Sequence, residues 1–156
     1  MATLSVTINE SITLNGRERG SEISLDIASI TQVFHRIVSC PNSVDTTVAT
    51  FKAAVNTSDV AIDLEDTKYI RVTNLDSSNS VTLSNQVSSG ENGVADRSVS
   101  ILLEAGKSYL LGTIHDGIAL GDTDATVITT LTDLESLVVS NAAGAAVDVE
   151  VFVATA

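Results

Sequence analysis

Tryptophan is absent from this chain of 156 residues, cysteine and proline occur once each, and only five residues are aromatic. Each shortage removes a class of structure. The lone Cys40 can close no disulfide within the chain. Apolar residues make up 44% of the sequence but aromatics only 3%, so a core must be built from Val, Ile, Leu and Ala, types that suit pleated surfaces. Phe34, Phe51, Tyr69, Tyr109 and Phe152 are scattered about one per predicted strand. That spacing reads as core anchors, and it supplies no aromatic platform for a sugar or for single-stranded nucleic acid. Basic residues are scarce as well, eight against twenty acidic ones for a formal charge of −12. Such a surface repels phosphate backbones, so no direct nucleic-acid partner is expected. No apolar run approaches the roughly 18–20 residues of a membrane-spanning helix, so no membrane partner is expected. The opening "MATLSVTINES" lacks the basic and unbroken apolar segments of a secretory signal. The expectation is a protein made and assembled in the cytoplasm.

Alternation of apolar and polar residues dominates what is present. In "TLSVTI", Leu4, Val6 and Ile8 point one way and Thr3, Ser5 and Thr7 the other, the period of a half-buried strand. Ile12 and Leu14, then a polar loop over 15–20, then Ile23, Leu25 and Ile27 read as a second, hairpin-like unit with a long tip. Residues 29–40 fit helical spacing in part, yet their β-branched density and the closing Cys40-Pro41 favour a strand. "TTVATFKAAV" and "VAID" continue the series, and 68–73 and 80–84 flank a polar corner at 76–79. Runs at 98–103 and 108–111 flank "EAGK", and Gly144 bends a last unit whose closing strand carries Val147, Val149, Val151 and Val153 on one face. About ten short strands at this spacing predict an all-β chain, an antiparallel β-sandwich or jelly-roll-like barrel. No linker divides the sequence, so residues 1–156 read as a single β domain.

Many strands without an evident reactive site leave sheet edges that partners can cover. "TLNGRERGSEISLDIASITQVFHRIVSCP", "KYIRVTNLDSSNSVTLS", "SILLEAGKSYLLG" and the closing "DVEVFVATA" together resemble small virion structural proteins of tailed bacteriophages, particularly those of marine bacteria. The resemblance spans nearly the whole chain and its motifs are structural. It implies a capsid decoration or cement protein on the outer surface of the virion, without enzymatic activity, bound to the major capsid protein or other virion proteins. It also implies a homo-oligomer, a trimer by preference. An acidic protein suits the outer face of a shell, away from packaged DNA. A phage tail or fibre component that recognises a glycan, or a free-standing adhesin-like module, shares the β-rich composition.

Candidate contact residues lie near the N-terminus. Residues 1–10, with Leu4, Val6 and Ile8, suit either the chain's own sheet or an arm exchanged with a neighbour by strand addition. Arg17 and Arg19 form the one local basic cluster, a hairpin tip able to meet an acidic neighbour, including another copy. Candidate chemistry is thinner. His35 and Cys40 fall short of the four ligands of a zinc site. "HDG" at His115 lacks a nucleophile elbow, and neither of the two glycine-rich nucleotide-binding motifs occurs, so no enzyme and no cofactor are expected. Asp122, Asp124, Asp133 and Glu135 supply oxygens without the glycine and distal Glu of a calcium loop, and read as solvated turn acids. Calcium titrated into the protein in a calorimeter should release no binding heat; a saturable heat would place an ion on those acids.

Overall fold

A computed structural model describes residues 1–56, 60–88, 95–112, 119–120 and 132–156. Among the described residues there are fourteen strands and no helix. From the N-terminus, β1 (Ala2–Glu10), β2 (Thr13–Leu14), β3 (Arg17–Glu18) and β4 (Ser21–Ile30) precede the body. The body comprises β5 (Gln32–Cys40), β6 (Val44–Lys52), β7 (Ile62–Asp63), β8 (Thr67–Asn74), β9 (Val81–Ser88), β10 (Ala95–Leu103) and β11 (Ser108–Gly112), followed by β12 (Ala119–Leu120), β13 (Thr132–Asn141) and β14 (Val147–Thr155). The count exceeds the ten expected because β2, β3, β7 and β12 are two-residue pieces too short to show an alternation.

Two sheets face each other. One runs β10-β9-β13-β6-β7, with β12 on β13, and the other β11-β8-β14-β5. Each keeps unpaired edges among the described residues, so the body is a sandwich and not a closed barrel. The expected antiparallel pairing holds except between β6 and β7, which run parallel because the chain leaves β6 and returns along its edge in the same direction. Alternation sets the faces. Val147, Val149, Val151 and Val153 of β14 and Ile70 and Val72 of β8 point inward against Leu83, Leu134, Leu137 and Val139 of the facing sheet. Phe51 is the one aromatic fully buried there, so aliphatic side chains fill the core as the composition requires.

The corners that look like hairpins in the sequence are arches. β8 and β9 belong to different sheets, as do β10 and β11, β13 and β14, and β5 and β6. A hairpin and an arch share a local signature, two apolar runs around a polar turn, and differ only in whether the runs pair with each other. Register places all four arches at one end of the sandwich: Val147 pairs with Cys40, Val149 with Asn74, Ser140 with Thr82 and Asn141 with Val44.

Two buried asparagines hold that end together. The Asn74 amide donates to the carbonyls of Leu103 at 3.1 Å and Asn79 at 2.8 Å, and its oxygen accepts the Asp76 N–H at 3.0 Å. Asn141 repeats the pattern, donating to Cys40 at 2.7 Å and Ala145 at 2.9 Å and accepting from the Ala143 N–H at 2.9 Å. Each side chain therefore ties the last carbonyl of a strand in another arch to the turn of its own. The turns close further through Asp76, which accepts the N–H groups of Ser78 and Asn79. Those bonds, that of Ser78 foremost, hold its carboxyl below the usual aspartate value.

Replacing Asn141 with Ala strands two carbonyls and one amide. The expected cost is about 2–4 kcal/mol in urea unfolding, whereas Asn42→Ala, which loses one exposed bond to Gly144, should cost less than about 1 kcal/mol.

Candidate functional site

β1 and β4 form a two-stranded ribbon whose register sorts its side chains by chemistry. Leu4 faces Ile27, Val6 faces Leu25 and Ile8 faces Ile23 on one side, with Glu10 and Ser21 at its end, while Ser5, Thr7 and Asn9 face Asp26, Ser24 and Glu22 on the other. The polar side is cross-bonded along its length. The Ser5 hydroxyl donates to Asp26 at 2.6 Å, the Thr7 and Ser24 hydroxyls lie 3.1 Å apart, and the Asn9 amide donates to Glu22 at 3.0 Å. On the opposite side the Ser21 hydroxyl donates to Glu10 at 3.1 Å, ending the apolar series next to Ile8 and Ile23. β1 thus pairs with its own chain, and the hairpin-like unit expected over residues 12–27 is instead part of this longer ribbon.

The apolar side divides in two. Near the body, Leu4, Val6, Leu25, Ile27 and Ile30 pack on Tyr69, Phe152, Ala154 and Ala156. Tyr69 and Phe152 meet edge-on at 6.1 Å, so these two rings anchor the ribbon on the outer face of the β11-β8-β14-β5 sheet and not in the main core. Farther out no described residue covers the ribbon. Ile8 is 46% exposed and Ile23 62%, with Ile12 at 56% and Leu14 at 55% beyond them. Grouped apolar exposure of this kind marks a contact surface.

The tip is built to hold its shape. Asn15 and Gly16 take φ of 52° and 71°, the left-handed pair that a two-residue type I′ hairpin requires between β2 and β3. Glu18 turns its carboxylate onto the backbone, accepting the N–H groups of Gly20 at 2.8 Å, Ile12 at 2.9 Å and Arg19 at 3.1 Å. These bonds, that of Gly20 first, hold Glu18 below its usual value. A Cβ at Gly20 would collide with the Glu10 carbonyl, so the crossing from tip to β4 needs glycine. With the Glu18 carboxylate bonded to backbone, the exposed Arg17 and Arg19 flank it at the tip of the ribbon.

Of the five sequence-predicted contact residues, Leu4 and Val6 fall on the packed base, Ile8 on the exposed stretch, and Arg17 and Arg19 at the tip. Alternation could not show that Ile23, Ile12 and Leu14 belong with Ile8, because that depends on which strand β1 pairs with. His35 and Cys40 point to opposite faces of β5: the thiol is fully buried, and burial pushes its pKa up. His35 instead contacts Glu150 at 2.8 Å, and Arg71 grips the other oxygen of Glu150 at 2.6 Å. The His35 bond, then that of Arg71, keeps Glu150 below its usual value. The imidazole meets a carboxylate and no hydroxyl, so the nucleophile–base contact of covalent catalysis is not made here. Glu135 on β13 has its pKa raised by burial and by Asp133. His115, Asp122 and Asp124 lie outside the described residues. Among the described residues no group of three His, Cys, Asp or Glu is placed to hold a metal ion, and no helix is long and apolar enough to cross a membrane.

No protein-family model and no curated protein matches the chain. It is similar to a solved chain from work on Bacillus endospore appendages that form a novel family of disulfide-linked pili, at 14% identity and a TM-score of 0.33. That match covers 83% of this chain and 91% of the other. A likeness at that score carries no argument about function.

Because Glu18 titrates lower in the folded tip than its ordinary 4.5, the order it confers is complete above that value and is lost as pH falls through the folded one. Amide exchange by NMR should find Gly20 and Ile12 protected near about pH 6, with the protection falling only once the pH is taken well below the ordinary 4.5. Gly20→Ala should remove that protection at both positions while leaving the amides of β13 and β14 slow.

Proposed function

We propose that this chain is a non-enzymatic structural protein that acts by being built into a larger assembly, and that the assembly is the shell of a tailed-phage virion. In this reading it is a capsid decoration or cement protein on the outer surface, bridging subunits of the major capsid protein and working as a homo-oligomer, by preference a trimer. The observation that carries the structural role is the outer half of the ribbon, where Ile8, Ile12, Leu14 and Ile23 stand exposed on a cross-bonded stalk. Side chains held in water in that way gain free energy when a neighbour covers them. The sequence resemblance supports the virion, and the charge of −12 supports the outer face, where packaged DNA is not the neighbour. Bridging strengthens a shell because every contact made only by the assembled state raises the free energy of taking it apart.

The test is co-sedimentation with undecorated capsids of the parent phage, followed by electron cryo-microscopy of the pellet. Ordered density on the outer shell is the expected result, and Ile8→Ser with Ile23→Ser should weaken binding by about 30-fold or more, from about 1 kcal/mol of lost burial per side chain. Absence from the shell, with the protein located at the tail instead, would replace this reading with that of a tail or fibre component.

A further inference from the structure

The ribbon has a complement on the body of the same chain. Among the described residues β5 forms one edge of its sheet, and the outer edge of the neighbouring β6 is paired where Phe51 and Lys52 meet the short β7. Between these edges lie two adjoining cavities of about 300 and 380 Å³, both lined by Phe34, Val60, Ala61 and Ile62. Val60 is 97% exposed, an aliphatic side chain standing in water where the two cavities adjoin. Arg36 borders the 380 Å³ cavity; its guanidinium donates to the Val48 carbonyl at 2.8 Å and lies 4.9 Å from the centre of the Phe34 ring. Asp63 and the exposed Asp66 border the 300 Å³ cavity and give it an acidic mouth. The groove thus has a shared apolar middle of Phe34, Val60, Ala61 and Ile62, with Asp63 and Asp66 on one cavity and Arg36 and Lys52 on the other.

The ribbon tip carries the sign opposite to that of Asp63 and Asp66: the exposed Arg17 and Arg19 stand there beside the exposed apolar Ile12 and Leu14. Its own groove is out of reach. The tip stands on the order of 25 Å from the packed base, at about 3.4 Å per residue from Val6 to Leu14, while Thr31, Gln32 and Thr155, next to that base, line the groove.

We propose that the arginine-bearing tip of one copy seats at the Asp63–Asp66 mouth of the β5–β6 groove of a second copy, covering Ile12, Leu14 and Val60 together. This deepens the structural reading by naming one partner of the ribbon as the chain itself. The contact is head-to-tail, so it closes into a ring when the rotation allows and otherwise runs on as a filament. Asp63 also shapes its own turn, accepting the Glu65 N–H at 3.1 Å, so Asp66, whose side chain is exposed and makes no such bond, is the position to reverse.

Sedimentation velocity of the full chain over about 1–100 µM, a range that brackets micromolar association, reads the contact directly. The wild type should sediment as a multiple of 16.2 kDa. Arg17→Glu with Arg19→Glu should weaken association by about tenfold or more, Asp66→Arg should do the same, and all three changes in one chain should recover to within about threefold of wild type. Circular dichroism unchanged in each variant keeps the comparison one of contacts. A monomeric wild type, a tip variant that associates normally, or a triple variant no better than the weaker parent would each overturn the proposal. A monomer that still decorates capsids would end the self-contact and leave the shell reading standing; an oligomer that ignores capsids would do the reverse.

Discussion

A strand that crosses from one sheet to the other leaves its last carbonyl at a corner where no ladder partner is available. Buried carbonyls without donors are costly; of the four corners that meet at one end of this sandwich, those after Cys40 and Leu103 have their last carbonyls bonded by a side chain. Asn74 and Asn141 answer that demand with a single side-chain type. An amide offers two donors and an acceptor, enough to bond a neighbouring arch, the far side of its own turn and the N–H two residues on. The sandwich exists in this topology because those two amides make crossing between sheets as well bonded as turning back within one. The arches in turn fix which faces of β8 and β14 look inward, and so which face is left to receive the ribbon.

At the opposite end the problem is of another kind. A two-stranded ribbon is marginal in water by itself, and this one extends well past the last residue that packs on the body. Three devices offset that: the aromatic seat of Tyr69 and Phe152, the row of hydroxyl, amide and carboxylate bonds on the polar side, and the carboxylate of Glu18 gathered onto three backbone N–H groups. None of them hides Ile8 or Ile23. Order is thus retained in a part of the molecule whose apolar surface stays in water, the arrangement suited to a preformed contact that need not be ordered at the moment of binding.

The strands themselves were legible, because Val147 to Val153 and Ile70 to Val72 alternate cleanly and the β-branched run at 32–40 outweighed its partial helical spacing. Sheet membership was not. "EAGK" between two apolar runs predicts a reversal, and Gly106 does take φ of 68°, but nothing local says whether the reversal pairs the runs or separates them. One signal was present and easily overlooked: Asn74 continues the inward series of Ile70 and Val72, and Asn141 that of Leu137 and Val139. A polar amide in phase with a core face, immediately before a turn, has a buried task, and here the task is an arch. The contact residues were legible in part for the same reason. Leu4, Val6 and Ile8 announce one apolar face, while their continuation through Ile23 depends on a pairing of β1 with β4 that alternation does not encode. The groove was not legible at all, since Phe34, Val60 and Ile62 come together only through the parallel return of β7 beside β6.

The layout of the strands also sorts the two ends of the polypeptide. Ala2 pairs with Ile30 beside the ribbon's base, and the Ala156 N–H bonds the Asp66 carbonyl at the same pole. A fluorophore or tag joined to either end would therefore crowd the ribbon's seat and the mouth of the groove together. The exposed corner at Gly144, at the arched pole, is the site from which a label would report on the molecule without standing in the way.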